Sequence, residues 1–323
     1  MEHSGDIVTL AGGHYRLREQ LAASAYGVVW RAERDGLGAV ALKLVNRDQM
    51  ARAEPALRGH WRACAEREIA FLSRLAPWDA RHIVRLLDHG LHQGLPAIAL
   101  ELLDGDLAAH MAAQAASGRR IGLGQCLLWL AQVNGALAKV HQHGWRYLDL
   151  KPANLLLDKA SGSLKLADFG TNRSLLDAAA HSYAGTASWQ APEQFFPAPS
   201  GGFLTDARTD YFALGAIFFY LVTNGATLRY ASACREAWRA HGAGAATRLR
   251  SAGAGALPAV LAPDEEAHFL ACAAGAEGDP RAALALLRAL LAGRREERPR
   301  HALEISRLIG AAAQGGAHCR RAA

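Results

Sequence analysis

Residues of the types that support chemistry are concentrated in one stretch of the chain. Asp149, Lys151 and Asn154 place a carboxylate, an ammonium group and an amide within six residues, directly before an apolar run. Asp168 follows Asp149 by 19 residues and comes after a strand-like stretch. A positioned carboxylate can accept a proton, and carboxylate and amide oxygens are hard ligands that suit Mg²⁺. The stretch thus combines groups for proton transfer with groups for holding a metal ion.

Further charged and small residues lie on both sides of this stretch. Upstream, Lys43 ends the apolar sequence Val40-Ala41-Leu42 on a predicted strand, and Glu68 lies on a predicted helix. A lysine at the end of an apolar strand needs a partner for its charge, which argues against a merely solvated side chain. Downstream come Gly185-Thr186 and Ala191-Pro192-Glu193.

The elements that must position these residues change in character along the chain. The first hundred residues carry β-branched and aromatic segments separated by turn-forming stretches, together with one helical apolar face at 58–75. This pattern predicts an antiparallel sheet with one helix. The predicted strands are 15–21, 27–33, 39–45, 83–89 and 97–102.

Helices dominate the remainder of the sequence. An apolar stripe or an all-round apolar composition predicts helices at 125–143, 211–223, 280–293 and 301–308. Between the first two lies a strand-and-loop stretch at 145–193, which holds most of the unusual polar residues. The Ala- and Gly-rich segment 224–279 has no clear pattern.

Taken in order, these motifs resemble the protein kinase family over roughly residues 15–308. The resemblance implies an α+β, bilobal kinase fold, with a small antiparallel sheet lobe carrying one main helix and a larger, mainly helical lobe. The expected bounds are 15–102 and 103–309, with an N-terminal extension at 1–14 and a C-terminal tail at 310–323. The alanine-rich composition indicates a bacterial source.

The resemblance also implies how ATP and its metal ions are held. Lys43 would contact the α and β phosphates, and Glu68 would pair with its ammonium group. Asp168 would bind Mg²⁺ and Asn154 would ligate a second ion, with Mn²⁺ as a possible replacement.

The same resemblance assigns the transfer step to the stretch described first. Asp149 would accept the proton of the substrate hydroxyl, and Lys151 would neutralise charge on the γ-phosphoryl group. Lys151 and Thr186 resemble the serine/threonine-specific branch. Glu193 and Arg298 resemble the ion pair that anchors the substrate-binding segment.

Adenine binding is assigned to apolar side chains and to hinge backbone, although such leucines could equally be plain core. Their register with Lys43 and Asp149 favours the binding role. The residues are Leu21, Val29, Ala41 and Leu156 around the ring, Leu100 as the gatekeeper, and Glu101 and Leu103 for backbone hydrogen bonds.

The phosphate-covering loop departs most from the family pattern G-x-G-x-x-G-x-V. Ala22 and Ser24 stand where the first two glycines are usual, and only Gly27 and Val29 match. Both replacements are small, so backbone N–H groups can still approach phosphates if neither position needs a positive φ. We expect weaker ATP binding or a stiffer loop.

The catalytic loop reads Tyr147-Leu148-Asp149 where His-Arg-Asp is usual. The missing arginine normally pairs with a phosphate on the activation loop. We therefore expect activity without activation-loop phosphorylation, or a switch operated by a partner protein. Asp210 is expected to accept hydrogen bonds from backbone near Tyr147.

Composition excludes several other classes. The net charge is +6, but basic residues are scattered, which does not favour a nucleic-acid surface. The five cysteines form no C-x-x-C pair, which favours a reducing compartment. The N-terminus does not resemble a signal sequence, and the apolar run 211–223 is too short to span a bilayer. We expect a cytoplasmic protein.

The favoured interpretation is an active kinase that phosphorylates Ser/Thr hydroxyls of protein substrates whose identity the sequence leaves open. Two alternatives stand beside it. The altered glycine-rich loop would suit a pseudokinase scaffold, although such a protein has no chemical need for every catalytic group. A small-molecule kinase would not need Gly185-Thr186 and Ala191-Pro192-Glu193, which build a shelf for a polypeptide.

Overall fold

The computed structural model describes residues 2–177, 179–181, 185–253, 258–275 and 277–319. The chain divides into two compact units. The first, here called the sheet unit, comprises Met1–Asp104, Asp158–Ser161 and Lys165–Asn172. The second, the helical unit, comprises Gly105–Leu157, Gly162–Leu164 and Arg173–Ala323. The expected α+β architecture, with a small antiparallel sheet and a larger helical part, is confirmed, whereas the predicted domain bounds stay a prediction.

The sheet unit is built on one antiparallel sheet of six strands. The order of the strands in the sheet is β1-β2-β3-β4-β6-β5. Their bounds are β1 Ile7–Leu10, β2 Gly13–Ala23, β3 Gly27–Arg34, β4 Gly38–Val45, β5 Leu86–His92 and β6 Leu95–Glu101.

Strand alternation explains how this sheet makes both a core and a functional face. Successive side chains of a strand point to opposite faces. In β4, Val40, Leu42 and Leu44 are buried in the core of the unit. Ala41 and Lys43 therefore lie on the other face. The core also takes residues from β1, β2, β3 and β6: Val8, Leu10, Tyr15, Leu17, Trp30, Ala32, Ala97 and Ala99.

Strand β1 lies in the segment that sequence reasoning left as an N-terminal extension. Only four residues long, it is too short to give a clear alternating pattern. The two edges of the sheet approach each other, since a Cβ atom on Gly90 would lie 3.4 Å from the Leu10 Cα. Asp88 closes this junction by accepting hydrogen bonds from the Gly12 N–H (2.8 Å) and the Tyr15 hydroxyl (2.9 Å).

Two helices complete the N-terminal part of the sheet unit. They are α1 Arg47–Arg52 and α2 Gly59–Leu72. Asn46 caps α1, because its side chain accepts a hydrogen bond from the Gln49 N–H. Helix α2 buries Glu68, Phe71 and Leu72, which fixes the face that it turns to the rest of the unit.

The helical unit consists of nine helices with short strands among its described residues. The helices are α3 Leu107–Ala116, α4 Leu123–Gln142, α5 Pro192–Phe195, α6 Ala207–Val222, α7 Arg229–His241, α8 Ala245–Ala252, α9 Pro263–Ala273, α10 Pro280–Leu290 and α11 Ala302–Cys319. Strands β7 Trp145–Arg146 and β10 Arg173–Ser174 pair with each other in antiparallel fashion. Strands β8 Leu155–Asp158 and β9 Ser163–Leu166 form a separate two-stranded sheet.

The structure differs from the sequence-based expectation mainly at helix ends and in the Ala/Gly-rich stretch. Helix α6 begins four residues before the predicted start, because Asp206 caps it and polar residues of its first turn hide the apolar pattern. The segment 224–279, which showed no clear pattern, contains α7, α8 and α9. The buried face of α7 consists of Tyr230, Ala231, Cys234 and Ala237, and its small residues give a weak apolar signal in the sequence.

Candidate active site

The turn between β2 and β3 corresponds to the expected phosphate-covering loop. The Ser24 N–H donates to the Gly27 carbonyl (2.8 Å), and the Gly27 N–H donates to Ser24 Oγ (3.1 Å). Neither Ala22 nor Ser24 has a positive φ, so the turn forms without glycine at these positions. Asn46 also holds the turn, by donating its backbone N–H to the Tyr26 carbonyl (3.0 Å) and its side-chain amide to the Ser24 carbonyl (2.7 Å).

Trp61 of helix α2 also contacts this turn. The Trp61 Nε1–H donates to the Ala25 carbonyl (2.8 Å), and the Trp61 ring lies 5.1 Å from the Tyr26 ring, centroid to centroid. Trp61 is two turns before Glu68 on α2. The phosphate-covering loop is therefore tied to the helix that carries Glu68. This supports the expectation of a stiff loop and removes the steric objection to Ala22 and Ser24.

Lys43, Glu68 and Asp168 meet within the sheet unit. The Lys43 ammonium donates to Glu68 Oε2 (2.6 Å) and to Asp168 Oδ1 (2.8 Å). Burial by itself would lower the pKa of Lys43, but the neighbouring carboxylates of Asp168 and Glu68 outweigh burial and raise that pKa. Lys43 is therefore a cation at neutral pH, and its ammonium group lies between two acidic side chains.

Packing around the Asp168-Phe169-Gly170 triplet orients this trio. The Phe169 ring is buried and lies 4.5 Å from the Phe71 ring of α2, centroid to centroid. The Arg67 Nε–H donates to the Gly170 carbonyl (3.0 Å). Asp168 adopts a left-handed backbone with φ of +60°, which is unfavourable for a non-glycine residue. A strained backbone conformation held by neighbouring contacts is a common feature of functional sites.

The residues predicted to line the adenine ring lie mostly in the sheet unit. Val29 pairs with Lys43 across β3 and β4, and Ala41 pairs with Leu100 across β4 and β6. Leu100 is buried, and the Glu101 N–H donates to the Arg85 carbonyl (3.0 Å). The remaining predicted residues are Leu21 on β2 and Leu103 just after β6 in the sheet unit, and Leu156 on β8 in the helical unit.

Asp149, Lys151, Asn154 and Thr186 form a second cluster, in the helical unit. The Lys151 ammonium donates to Asp149 Oδ2 (2.7 Å) and Thr186 Oγ1 (3.0 Å). The Thr186 hydroxyl donates to Asp149 Oδ1 (2.8 Å). Asn154 Nδ2–H donates to the Asp149 carbonyl (2.9 Å). The Asp149 carboxylate is therefore held at both oxygens, by a cation and by a hydroxyl.

Asp210 organises the backbone just before Asp149. As predicted, it accepts hydrogen bonds from the N–H groups of Tyr147 (2.8 Å) and Leu148 (2.7 Å). Its Oδ2 also lies 2.9 Å from His141 Nε2. Leu148 has a left-handed backbone (φ +68°), and these two hydrogen bonds hold that conformation.

The segment that carries Thr186 passes close to the backbone of Leu148, and this approach requires glycine at position 185. Gly185 has φ of +98°, and a Cβ atom there would lie 2.6 Å from the Leu148 carbonyl oxygen. Gln194 Nε2–H donates to the same oxygen (2.9 Å). The close approach brings Thr186 within hydrogen-bonding reach of Asp149.

Glu193 and Arg298 form a bidentate ion pair. Arg298 Nη1–H and Nη2–H donate to the two Glu193 carboxylate oxygens at 2.7 and 2.9 Å. Arg298 also donates from Nε to the Ala292 carbonyl (2.9 Å), and its guanidinium lies 5.0 Å from the centre of the Phe212 ring. The Arg298 side chain is fully buried, so this pair anchors α5 in the interior of the unit.

Two groups of supporting residues were not found from the sequence. Trp61 and Asn46 hold the phosphate-covering loop, and Arg146 lies buried beside the catalytic loop. Each acts on backbone carbonyls from distant parts of the chain, and such contacts leave no spacing pattern. The one available signal was an aromatic residue, Trp61, in the first turn of a helix. The serines between Asp168 and Glu193 are Ser174, Ser182 and Ser188, which makes them the candidates for activation-loop phosphorylation; Ser182 lies outside the described residues.

No cluster of three or more His, Cys, Asp or Glu side chains suited to a metal ion occurs in the described part of the chain. Likewise, none of the helices described has the length and apolar character that a membrane crossing requires.

Comparison with known proteins gives a consistent result. The family model of the protein kinase domain matches residues 15–302. Serine/threonine-protein kinase PkaA of Streptomyces coelicolor is 32% identical over 231 residues, covering 66% of this chain and 39% of PkaA. Serine/threonine-protein kinase Pkn1 of Myxococcus xanthus is 30% identical over 233 residues, covering 69% of this chain and 31% of Pkn1. The chain thus spans less than half the length of these relatives.

Solved structures with a similar fold include the PknI kinase domain of Mycobacterium tuberculosis. A double mutant of that domain aligns with a TM-score of 0.63 and 25% identity, over 97% of this chain and 99% of that chain. The same domain without substitutions aligns with a TM-score of 0.59 and 26% identity, over 96% of this chain and 99% of that chain.

Proposed function

The chain belongs to the protein kinase family, among the bacterial serine/threonine kinases, and on this premise we propose that it transfers the γ-phosphoryl group of ATP to Ser/Thr hydroxyls of protein substrates. The single observation that carries the proposal is the hydrogen-bonded set of Asp149, Lys151 and Thr186. A chain that had kept only the fold would have no need for a carboxylate held at both oxygens.

Asp149 is the proton acceptor in this proposal. A substrate hydroxyl that donates a hydrogen bond to the Asp149 carboxylate is oriented for attack, and the carboxylate takes the proton as transfer proceeds. Lys151, 2.7 Å from Asp149 Oδ2, holds that carboxylate in place and would bring a positive charge beside the transferred group. Thr186 fixes the other carboxylate oxygen.

Lys43 would bind the α and β phosphates of ATP. Its raised pKa ensures a full positive charge, and Glu68 holds the ammonium group in place through a buried contact of 2.6 Å. The stiff turn at Ser24–Gly27 would cover the phosphates with backbone N–H groups. Adenine would be held by the apolar and hinge residues described above.

Asp168 and Asn154 each offer the kind of oxygen donor that Mg²⁺ prefers. Asp168 supplies carboxylate oxygens on a side chain that is 41% exposed, and Asn154 supplies an amide oxygen whose orientation follows from the contact of its Nδ2 with Asp149. Both are hard oxygen donors, and Mg²⁺ usually completes its shell with phosphate oxygens and water. When bound, the ion would neutralise charge on the phosphates.

We further propose that activity does not need phosphorylation of the activation loop. Leu148 occupies the position of the arginine that would read such a phosphate, and it is buried and apolar. An activating partner protein remains compatible with this. Free thiols at Cys64, Cys126, Cys234 and Cys272 support the proposal of a cytoplasmic, reducing location.

Transfer of labelled phosphate tests the proposed reaction. The purified chain is incubated with Mg²⁺ and ATP radiolabelled at the γ-phosphate, alone and with a generic basic protein, beside the variants Asp149→Asn and Asp264→Asn. Asp264 is exposed, so its variant is a matched control for the same chemical change. We expect labelled protein with the parent chain and Asp264→Asn, and none with Asp149→Asn.

Nucleotide binding separates the alternatives in the same experiment. Binding of ATP without any transfer by the parent chain would show a scaffold instead of an enzyme. In a parallel incubation with small hydroxyl compounds as acceptors, label that appears only on those compounds would show a small-molecule kinase. Equal transfer by the parent chain and Asp149→Asn would remove Asp149 from the proposed mechanism.

A further inference from the structure

Arg146 is a buried arginine that the proposed reaction does not use. It lies on β7, three residues before Asp149, and is 2% exposed. Its Nη1–H donates to the Thr205 carbonyl (2.5 Å) and its Nη2–H donates to the Asp177 carbonyl (2.8 Å). Among the described residues its Nε–H has no acceptor. Burying a guanidinium is costly, so its retention here needs a reason.

The two carbonyls belong to the two ends of one segment. Asp177 follows β10, and Thr205 stands directly before Asp206, the cap of α6. Between them lie Thr186, which contacts Asp149, and Glu193, which pairs with Arg298. Arg146 therefore joins the start and the end of the activation segment, residues 177–205, which carries the substrate shelf.

A second set of contacts strengthens the same junction. His181 and Phe203 exchange backbone hydrogen bonds (3.1 and 3.0 Å), and His181 Nε2 lies 2.8 Å from Thr205 Oγ1. Thr205 is thus held through its carbonyl by Arg146 and through its hydroxyl by His181. Both His181 and Thr205 are buried, so water does not compete for these bonds.

We propose that Arg146 is a positioning residue that holds the activation segment in its substrate-binding arrangement without a phosphate; this inference rests on the proposed kinase function. The arginine that is usual at position 148 would hold the activation segment only through a bound phosphate, but this chain has Leu148 at that position. Arg146 approaches from the preceding strand and uses main-chain carbonyls, which are always present. The guanidinium fork suits this task, since one planar group can donate to two acceptors in fixed directions.

The pairing of β7 with β10 explains how the Arg146 guanidinium reaches these backbone carbonyls. The two strands pair antiparallel, with Arg146 opposite Arg173, which brings the chain after β10 past the Arg146 side chain. The Leu175 N–H extends this pairing by donating to the Gly144 carbonyl (2.8 Å). The Asp177 carbonyl is then only four residues from the paired position.

Kinetics of full-chain variants test the proposal. Arg146→Met removes the hydrogen bonds but keeps an unbranched side chain, and Arg146→Lys keeps the charge with one point of contact. Arg250→Met is the matched control, because Arg250 donates to a single carbonyl of the same segment, that of Pro197 (3.2 Å), and joins no two ends. Each protein is treated with phosphatase and assayed with varied ATP and varied basic protein acceptor.

We expect Arg146→Met to lower kcat/KM for the protein acceptor by about tenfold or more, with the Kd of Mg·ATP changed by less than about twofold. Arg250→Met should match the parent chain, and the phosphatase-treated parent chain should stay active. Unchanged acceptor kinetics in Arg146→Met, an equal loss of ATP binding and transfer, or loss of parent activity after phosphatase treatment would each overturn the proposal.

Hydrogen exchange keeps the test decisive if a variant folds poorly or the chain is inactive. Amides of residues 185–205 should exchange faster in Arg146→Met than in the parent chain, while those of α10 stay protected. If Arg146→Met does not fold, Arg146→Lys must show a smaller decrease in kcat/KM for the protein acceptor, again without weaker binding of Mg·ATP. Kinetics equal to those of the parent chain would refute the proposal. A parent chain without transfer activity refutes the proposed function, whereas the exchange comparison still judges the clamp.

Discussion

Restoring the two missing glycines of the phosphate-covering loop should weaken ATP binding. The double variant Ala22→Gly/Ser24→Gly brings the loop to the usual family pattern, from which tighter binding would be expected. The structure predicts the reverse. Neither position has a positive φ, and Ser24 Oγ accepts the Gly27 N–H at 3.1 Å, so glycine adds freedom that the turn does not need.

The size of the effect follows from three contributions. Each added glycine raises the free-energy cost of ordering the loop by about 0.5–1 kcal/mol, because the open loop has more conformational entropy. The lost hydrogen bond to the Ser24 hydroxyl costs about 1 kcal/mol. The sum is about 2–3 kcal/mol, which corresponds to an upper bound of roughly 30- to 150-fold in Kd. Trp61 and Asn46 still hold the loop, so we expect an increase of about tenfold.

Isothermal titration calorimetry with Mg·ATP measures this change directly. Ser24→Ala isolates the hydroxyl contact and should raise the Kd by about fivefold, because it removes about 1 kcal/mol without adding backbone freedom. Ala112→Gly, an exposed alanine-to-glycine change on α3, is the matched control and should leave the Kd unaltered. Hydrogen exchange of residues 22–27 should increase in the double variant alone.

The opposite direction would refute this reasoning. If the double variant binds Mg·ATP more tightly than the parent chain, the observed turn is a hindrance and flexible glycines are what the loop lacks. An unchanged Kd would mean that the loop contributes nothing to binding. Either result would mean that Ala22 and Ser24 do not improve the binding of Mg·ATP.

Three further outcomes follow from the contacts described above. Glu193→Gln should lower the free energy of unfolding by about 3 kcal/mol, measured by urea denaturation, because it leaves the fully buried Arg298 guanidinium without its anion. Asp264→Asn breaks an exposed ion pair and should lower that free energy by less than about 0.5 kcal/mol. Equal losses in the two variants would contradict the argument. Combined alanine substitution of Ser174, Ser182 and Ser188 should leave transfer to a basic protein nearly intact, and collapse of activity would disprove independence from loop phosphorylation. Burial raises the pKa of Cys126 and Cys234 to about 12, so at pH 8 both thiols should resist Ellman's reagent in the native protein and react after unfolding; fast native labelling of either, located by peptide mass, would speak against that burial.

The family and the identities of the charged residues could be predicted from the chain alone. Asp149, Lys151 and Asn154 are close in sequence, and their chemistry depends on a local loop whose spacing is visible directly. Lys43 was found because a charge on an apolar strand requires a partner. The pairing of Glu193 with Arg298 could be predicted only through the resemblance, since 105 residues separate them.

The state of the phosphate-covering loop could not be predicted in this way. A missing glycine is a defect only where the backbone needs a positive φ, and that is a property of the folded turn. Its rigidity also depends on Trp61 and Asn46, which reach it from other elements.

Folding also decided what replaces the arginine absent beside Asp149. The sequence at Leu148 shows that a phosphate contact is missing, whereas the compensation comes from Arg146, whose acceptors are backbone carbonyls at Asp177 and Thr205. Every residue carries such a carbonyl, so no side-chain pattern marks these two. Which of them a buried guanidinium meets is determined only when β7, β10 and the start of α6 pack together.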